Sequence, residues 1–568
     1  MNNLIFERVS AEIAKVSTLS VSEIYEKLEQ PPSAEMGDVS FPCFTLSRVM
    51  KKAPHIIAEE LRSKLLTETS STLFKELKVV GGYLNFYLNT PELLMEFYDL
   101  VSQGFLVHFP EVEGKKILIE HTSVNPNASP HIGRARNALI GDASVRLFRF
   151  LGCDVDVHYF VNDIGKQIAL LVYCTKEQSD IEFSELLSLY VAANEELKNN
   201  PDVEDKVFDL LHRMENGDED VFSHFTKIVN ICVMGQMKIF NEFGIYYDQY
   251  DYESQYVQSG KIDEVLGSLH ATNRLFKDEE GRLVLNLEEF NINPENPYLP
   301  LTRQNRTSLY PLRDICYNIE KVKENAYRNI VVLGEDQRLY GRQINAALNL
   351  LDMEGPEIIN YSFVLLPDGK MSTRAGQVVL LEDLMSDTVA FAKSTLSKHR
   401  HSNHRSEESP DELLPKQLAY GAIKYSILKC SNEKNVIFDR ESAFNFQGNT
   451  SVYIQYSYAR IQSLLKDECL NIYREDMIAL THPLEWEIVK KILLFNPTLE
   501  VITYDFNFSS LCSYLFELCQ LFSRWYKECP IKNADDRIRG PRLFLSSVIA
   551  EIIRNGLHIL GIDAPEKI

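Results

Sequence analysis

His131, Lys370 and Arg374 stand in two short stretches whose residue types suit phosphate chemistry, N-A-S-P-H-I-G-R at 127–134 and G-K-M-S-T-R-A-G at 369–376. The first follows a strand-like run at 115–120 and, through a turn containing Pro130 and Gly133, opens a helix expected over 134–151. Unpaired backbone N–H groups and the helix dipole make such a junction a seat for an anion. The second is a glycine-flanked loop with Lys370 and Arg374 as cations and Ser372 and Thr373 as hydroxyl donors. A loop of that kind folds over a polyphosphate and balances the charge that develops as a phosphate bond breaks. Together the two stretches predict a nucleotide held between two halves of an α/β domain.

The elements that must position these groups fall into three blocks. Over 1–110, the run P-H-I-I-A-E-E-L-R-S-K-L-L has helical periodicity with Pro54 at its start, and K-V-V-G-G-Y-L-N-F-Y-L at 78–88 reads as strand around a paired-glycine turn. From 111 onward strand-like and helix-like segments alternate, with strands expected at 115–121, 154–161 and 329–334, as in a doubly wound parallel sheet. A stretch rich in Asp, Glu and Lys over about 176–250 reads as a helical insertion between the halves of that sheet. Residues 398–414, with His399, His401 and His404, are expected as a linker, because a solvated loop suits this composition better than a metal site. Beyond 415, apolar stripes at 451–466, 485–496 and 509–527 have helical spacing and predict a helix bundle. The expected architecture is therefore α/β multidomain. It comprises an N-terminal α/β module over 1–110, a Rossmann-like catalytic domain with its insertion over 111–414, and an all-α bundle over 415–568.

Composition narrows the function. A chain of 568 residues exceeds what one core supports. With 45% hydrophobic and 25% charged residues and no apolar run of 18, it reads as globular with no membrane span. The N-terminal M-N-N-L-I-F-E-R lacks the basic-then-apolar pattern of a secretory signal. Ten scattered cysteines without a C-x-x-C pair predict reduced thiols, a cytoplasmic location and no protein-bound zinc. The net charge of −22 disfavours a globally basic nucleic-acid surface. Residues 415–568, however, hold 18 Lys and Arg against 18 Asp and Glu, and residues 1–110 hold 10 against 14. RNA contact would then rest on local basic patches of the two end domains.

The two phosphate stretches resemble the His-x-Gly-His and Lys-Met-Ser-Lys-Ser signatures of class I aminoacyl-tRNA synthetases. The surrounding I-E-H-T-S-V-N-P-N-A-S-P-H-I-G-R-A-R-N-A-L-I-G-D at 119–142 is similar to arginyl-tRNA synthetases in particular. So are Y-F-V-N-D-I-G-K-Q at 159–167, T-S-L-Y-P-L-R-D-I at 307–315, G-A-I-K-Y-S at 421–426 and F-Q-G-N-T-S-V-Y-I-Q-Y-S-Y-A-R-I at 446–461. The terminal N-G-L-H-I-L-G-I-D-A-P-E-K-I completes a set that runs in the family's order. The resemblance implies activation of L-arginine by ATP with Mg2+, transfer to tRNA(Arg), and a monomer that needs tRNA before it activates arginine. The runs G-D-V-S-F-P and G-G-Y-L-N-F resemble the extra N-terminal domain of arginyl enzymes, which touches the corner of tRNA.

The same resemblance assigns roles. His131 would hydrogen-bond the ATP phosphates, Gly133 would let the nucleotide approach backbone, and Lys370 would meet the β- and γ-phosphates. Ser372 and Thr373 would shape that loop and Met371 would anchor it. Glu120 and Asp314 would grip the planar guanidinium with paired N–H···O bonds. A carboxylate ending a buried parallel strand is costly unless paired, which favours a ligand role for Glu120 on physical grounds as well. Asn125, Tyr310 and Gln337 would complete recognition of the amino acid, and Asn162 and Asp163 stand beside the pocket. In the bundle, Tyr453 and Tyr456 precede Arg460 at spacings that could stack unpaired anticodon bases, whereas Tyr458 points elsewhere.

Two departures from the family pattern stand out. Arg134 replaces the usual second histidine, and Arg374 stands where the second lysine is lost, with Ala128 in place of a compensating lysine. Arg134 or Arg374 is expected to supply the missing positive charge. The rival reading, a catalytically altered paralogue that binds tRNA without efficient charging, is supported by Arg134.

Overall fold

A computed structural model describes residues 3–69, 71–104, 107, 109–175, 180–365, 379–402, 413–466, 468 and 472–568. The signature residues Lys370, Met371, Ser372, Thr373 and Arg374 lie outside the described residues, as do 403–412 of the expected linker.

The N-terminal module holds β1 (Val39–Pro42), β2 (Phe74–Val80) and β3 (Tyr83–Leu88) in an antiparallel sheet of order β1-β3-β2. Gly81, at φ +59°, supplies the positive φ that the tight turn between β2 and β3 requires. The helix Pro54–Glu68 begins at its proline and buries Ile57, Ala58, Leu61 and Leu65. The module docks on the C-terminal bundle through Asp38, which accepts from Trp486 Nε1 and from Lys490 Nζ, both at 2.8 Å. Asp38 belongs to the G-D-V-S-F-P run.

The central sheet is built from β4 (Lys116–Glu120), β5 (Asp154–Val161) and β6 (Gln249–Tyr252). After an excursion through a small antiparallel sheet, β7 (Leu275–Lys277), β8 (Leu283–Asn286) and β9 (Tyr298–Pro300), it is completed by β10 (Arg328–Gly334) and β11 (Glu357–Tyr361). All neighbours in its order β11-β10-β4-β5-β6 are parallel. Ile117, Leu118 and Ile119 of β4 are buried, as befits a sheet covered on both faces. From β4 the chain winds to one side and at β10 it returns to the other. The crevice therefore opens between the carboxyl ends of β4 and β10, where such sheets bind ligands.

Three expectations are corrected here. The helical stretch Leu186–Asn199, Asp202–Glu215 and Glu219–Glu242 stops short of 250, and its tail Q-Y-D-Y is the edge strand β6. Helix Leu381–Ser402 overruns the start of the expected linker. The stripe at 485–496 is divided between helices Pro483–Leu493 and Phe495–Asp505.

The bundle and the catalytic sheet are tied together past 414. Strand β12 (Val364–Leu365) pairs with β13 (Val436–Ile437). The buried Arg136 donates to the carbonyls of Ser362 and Lys434 at 2.7 Å and of Ser431 at 2.8 Å. No helix among the described residues is long and apolar enough to cross a membrane.

Candidate active site

Glu120 is the last residue of β4, and helix Tyr310–Lys323 lies over it. Lys321 Nζ donates to Glu120 Oε2 at 2.6 Å, and both residues are buried. Asp314, Asn318 and Lys321 follow at four- and three-residue spacing and so share a helix face. Asp314 accepts from Asn318 Nδ2 at 2.8 Å and from the Tyr340 hydroxyl at 2.6 Å. Glu120, Asn125, Tyr310, Asp314 and Gln337 all line one cavity of about 150 Å³, together with Arg134, Asn162, Glu253, Lys321 and Tyr340. Burial, with the Glu120 charge beside it, pushes the Asp314 carboxyl up to about 6.

The corner after Glu120 is strained. Thr122 and Ser123 have φ of 75° and 39°, left-handed values that cost non-glycine residues on the order of 1 kcal/mol each. Asn137 holds the corner by accepting from Thr122 N at 2.5 Å while donating to the Val332 carbonyl of β10 at 2.7 Å. The hydroxyl of Tyr247 donates to Thr122 Oγ1 at 2.7 Å. Further along, Gln236 Nε2 donates to the carbonyls of Asn125 and Ala128, at 3.1 and 2.8 Å, and Asn125 Nδ2 reaches Gln167 Oε1 at 3.0 Å. Tyr310, 53% exposed, stands at the cavity rim with its ring 5.0 Å from that of Tyr340. Asn162, with its amide oriented to satisfy both partners, donates to Glu253 Oε2 at 2.9 Å and to the Ile164 carbonyl at 3.2 Å. Glu253 is also paired with Arg313 at 2.7 Å. Asp163 caps Ser254 N at 2.8 Å.

A second cavity of about 240 Å³ adjoins the first and shares Arg134 with it. It is lined by His131, Gly133, Gly334, Asp336, Tyr361 and residues 363–365, at the carboxyl ends of β10 and β11 and the start of helix Ile132–Phe150. A Cβ added at Gly334 would lie 2.5 Å from Asp336 Oδ1, so any larger residue there would displace the Asp336 side chain at the cavity wall. His131 is the N-cap residue, its Nδ1 accepting from Gly133 N at 3.1 Å. Burial, then the neighbouring Arg134 charge, brings the imidazole down to about 4. The ring is neutral near pH 7, and because Nδ1 accepts, the proton sits on Nε2 as a donor.

Both flanks of 366–378 reach this cavity. Leu365 lines it, while the Val379 carbonyl accepts from Ile132 N at 3.1 Å and Leu381 N donates to the Pro130 carbonyl at 2.9 Å. His131 and Leu380 form an antiparallel bridge, and Ser129 Oγ donates to Glu382 Oε1 at 2.9 Å.

The bundle residues are placed differently from one another. Tyr456 is 45% exposed and Arg460 is exposed with its guanidinium 4.4 Å from the Tyr526 ring centroid. Tyr453 is half-buried against Phe516, and Tyr458 is buried. On the strand beside β4, where His158 stands in register with Glu120, Asp156 and His158 gather with Glu324, their ligand atoms within 4.8 Å of one another. Lys116 Nζ already lies 2.8 Å from Glu324 and balances this acidic group.

Sequence reasoning missed Lys321, Tyr340, Asn318 and Glu253. A signal existed for two of them, since Asn318 and Lys321 lie four and seven residues after Asp314 on one helix face.

The raised Asp314 carboxyl has a measurable consequence. An acid moved from about 4 in the unfolded chain to about 6 in the fold binds its proton more tightly when folded, so stability falls as pH rises between those values. Asp314→Asn should therefore raise the melting temperature of the ligand-free chain by about 2 °C at pH 7.5 and leave it unchanged at pH 4. Scanning calorimetry at the two pH values checks this; an equal shift at both would contradict it.

The fold and the paired cavities define a class I aminoacyl-tRNA synthetase, and comparison with known proteins agrees. Residues 98–440 match the family model "tRNA synthetases class I (R), catalytic domain". Residues 3–88 match "Arginyl tRNA synthetase N terminal domain", and 454–568 match "DALR anticodon binding domain". The chain is 34% identical to the arginine–tRNA ligase of Methanocaldococcus jannaschii, over 100% of this chain and 98% of the relative. It is 33% identical to that of Methanococcus aeolicus, over 98% of each. Among solved structures, Thermus thermophilus arginyl-tRNA synthetase superposes with a TM-score of 0.81 at 25% identity, covering 99% of both chains. The Plasmodium falciparum arginyl-tRNA synthetase shares the fold at TM-score 0.81 and 20% identity, covering 100% of both chains. The chain belongs to the arginyl-tRNA synthetase family.

Proposed function

We propose that the chain is an arginine–tRNA ligase in which the Glu120–Asp314 cavity takes the guanidinium of L-arginine and the neighbouring cavity takes ATP. The observation that carries this reading is the pair of carboxylates in one cavity, separated by Arg134 from a glycine-turned cavity at a helix N-terminus. The arginine carboxylate attacks the α-phosphorus of ATP and pyrophosphate leaves; a ribose hydroxyl of tRNA(Arg) then attacks the arginyl carbonyl and AMP leaves. No protein nucleophile is needed, so rate comes from placement and charge balance.

His131 Nε2–H donates to phosphate, and Gly133 gives the nucleotide access to backbone. Lys370 and Arg374, with Met371, Ser372 and Thr373, come from the segment whose two flanks end at the nucleotide cavity. Asn125, Tyr310 and Gln337 orient the amino acid. Magnesium enters on the phosphate oxygens of ATP. The exposed Tyr456 and Arg460 meet unpaired anticodon bases, with Tyr453 supporting them from beneath, and the N-terminal module touches the tRNA corner. The working unit is a cytoplasmic monomer.

Attachment of labelled arginine to tRNA(Arg) by the purified chain tests the reaction. ATP–pyrophosphate exchange tests the two arginines. At least one of Arg134→Ala and Arg374→Ala is expected to lower exchange by about 10- to 100-fold, as removal of a cation from a developing negative charge does. Unchanged exchange in both variants would leave the altered signatures without a compensating charge and contradict these roles.

A further inference from the structure

Two carboxylates in one small cavity repel each other, and each is costly to bury without a counter-charge. The cavity already contains a cation. Lys321 Nζ lies 2.6 Å from Glu120 Oε2 and 4.4 Å from the centroid of the Tyr317 ring, with 1% of its side chain exposed. That ring is itself fixed. Its hydroxyl donates to Asp251 Oδ2 at 3.0 Å, and its face stacks on Phe160 at 4.4 Å with the planes 7° apart. Asp251 is held in turn by His158 Nδ1 at 2.7 Å. The ammonium is thus clamped between a carboxylate and an anchored aromatic face. Among the described residues, Glu120 Oε1 accepts no hydrogen bond, so the clamp engages one oxygen and leaves the other for a ligand.

Resting on the arginine reading above, we propose that Lys321 is a positioning residue for side-chain recognition. It cancels one of the two carboxylates and fixes Glu120; with Glu253 paired to Arg313 and Arg134, which also lines the cavity, given to the ATP phosphates, Asp314 is left as the uncompensated negative charge for a single guanidinium. The charged and titratable groups around Asp314 are Glu120 from β4, Tyr340 from helix Arg338–Asn349, Tyr310 and Lys321 from its own helix, Glu253 with its partner Arg313, and Arg134, which lines the same cavity from helix Ile132–Phe150. Lys321 is the cation that offsets Glu120 within this set, and it favours the ionised form of Asp314. Without it, Glu120 and Asp314 would face each other unscreened, and the cavity would take up a proton that arginine must displace.

The test uses the full chain, with arginylation of tRNA(Arg) followed from pH 5.5 to 8.5. In Lys321→Met the acid limb of kcat/KM for arginine should move up by about one pH unit, which raises KM for arginine about tenfold on that limb, while KM for ATP stays at the wild-type value. Lys321→Gln should show the same shift; it keeps a hydrogen-bond donor for Glu120 and so guards against a folding failure of the methionine variant. A limb that stays at the wild-type pH in the folded variants would overturn the proposal. So would a KM for ATP that rises in step with that for arginine, the mark of a merely structural role. A wild-type chain that charges no arginine would instead overturn the functional reading, so the two failures are told apart.

Discussion

Glu120→Gln is expected to lower kcat/KM for arginine by about 10³-fold, because it removes one member of a buried charge-assisted pair from the place where the guanidinium docks. The variant keeps the shape of the side chain and leaves Lys321 facing a neutral amide. Breaking a buried pair from one side costs on the order of 3 kcal/mol of stability, so the fold is to be verified by circular dichroism at the assay temperature. Because the nucleotide cavity is lined by other residues, KM for ATP should remain near the wild-type value. Steady-state arginylation with each substrate varied in turn makes the distinction. A comparable rise in both KM values would show that Glu120 supports the whole domain and not the amino-acid pocket.

His131→Ala should act on the other cavity, lowering ATP–pyrophosphate exchange by about 10²- to 10³-fold, the usual effect of deleting one donor aimed at a developing negative charge. Part of any stability change, about 1 kcal/mol, belongs to the lost helix cap. The wild-type pH profile should carry no limb from His131 between pH 5 and 8, since its imidazole titrates at about 4. KM for arginine should change little. Exchange at the wild-type rate in His131→Ala would remove this residue from the chemistry.

The two halves of the site were unequally legible in the sequence. Glu120 and His131 sit at the ends of strongly patterned elements, an apolar strand and a helix opened by a proline–glycine turn, so local rules placed them. The strand at 154–161 matches its expected bounds because D-V-D-V-H-Y-F-V is rich in β-branched and aromatic residues and follows a glycine. Edge strand β6 escaped notice because Q-Y-D-Y is short and polar, and β11 because five residues between turns give no period to measure. Lys321 was missed for a deeper reason. In sequence it stands among Glu320, Lys323 and Glu324 and reads as a solvated helix face, and only the approach of β4 turns it into a buried counter-charge. Tyr453 and Tyr456 look equivalent as text. Their separation into a half-buried and an exposed tyrosine follows from which side of the helix Phe516 covers.

The claim on which the rest depends is that Glu120 and Asp314 read a positive charge, not merely a shape. The most direct measurement is ATP–pyrophosphate exchange in the presence of tRNA(Arg), with L-arginine and with L-citrulline, its uncharged isostere. Exchange with arginine and at least about 10³-fold less with citrulline is expected, since the isostere leaves buried carboxylate charge unpaired. Comparable exchange with both, or exchange with neither, would contradict a carboxylate clamp at the end of β4.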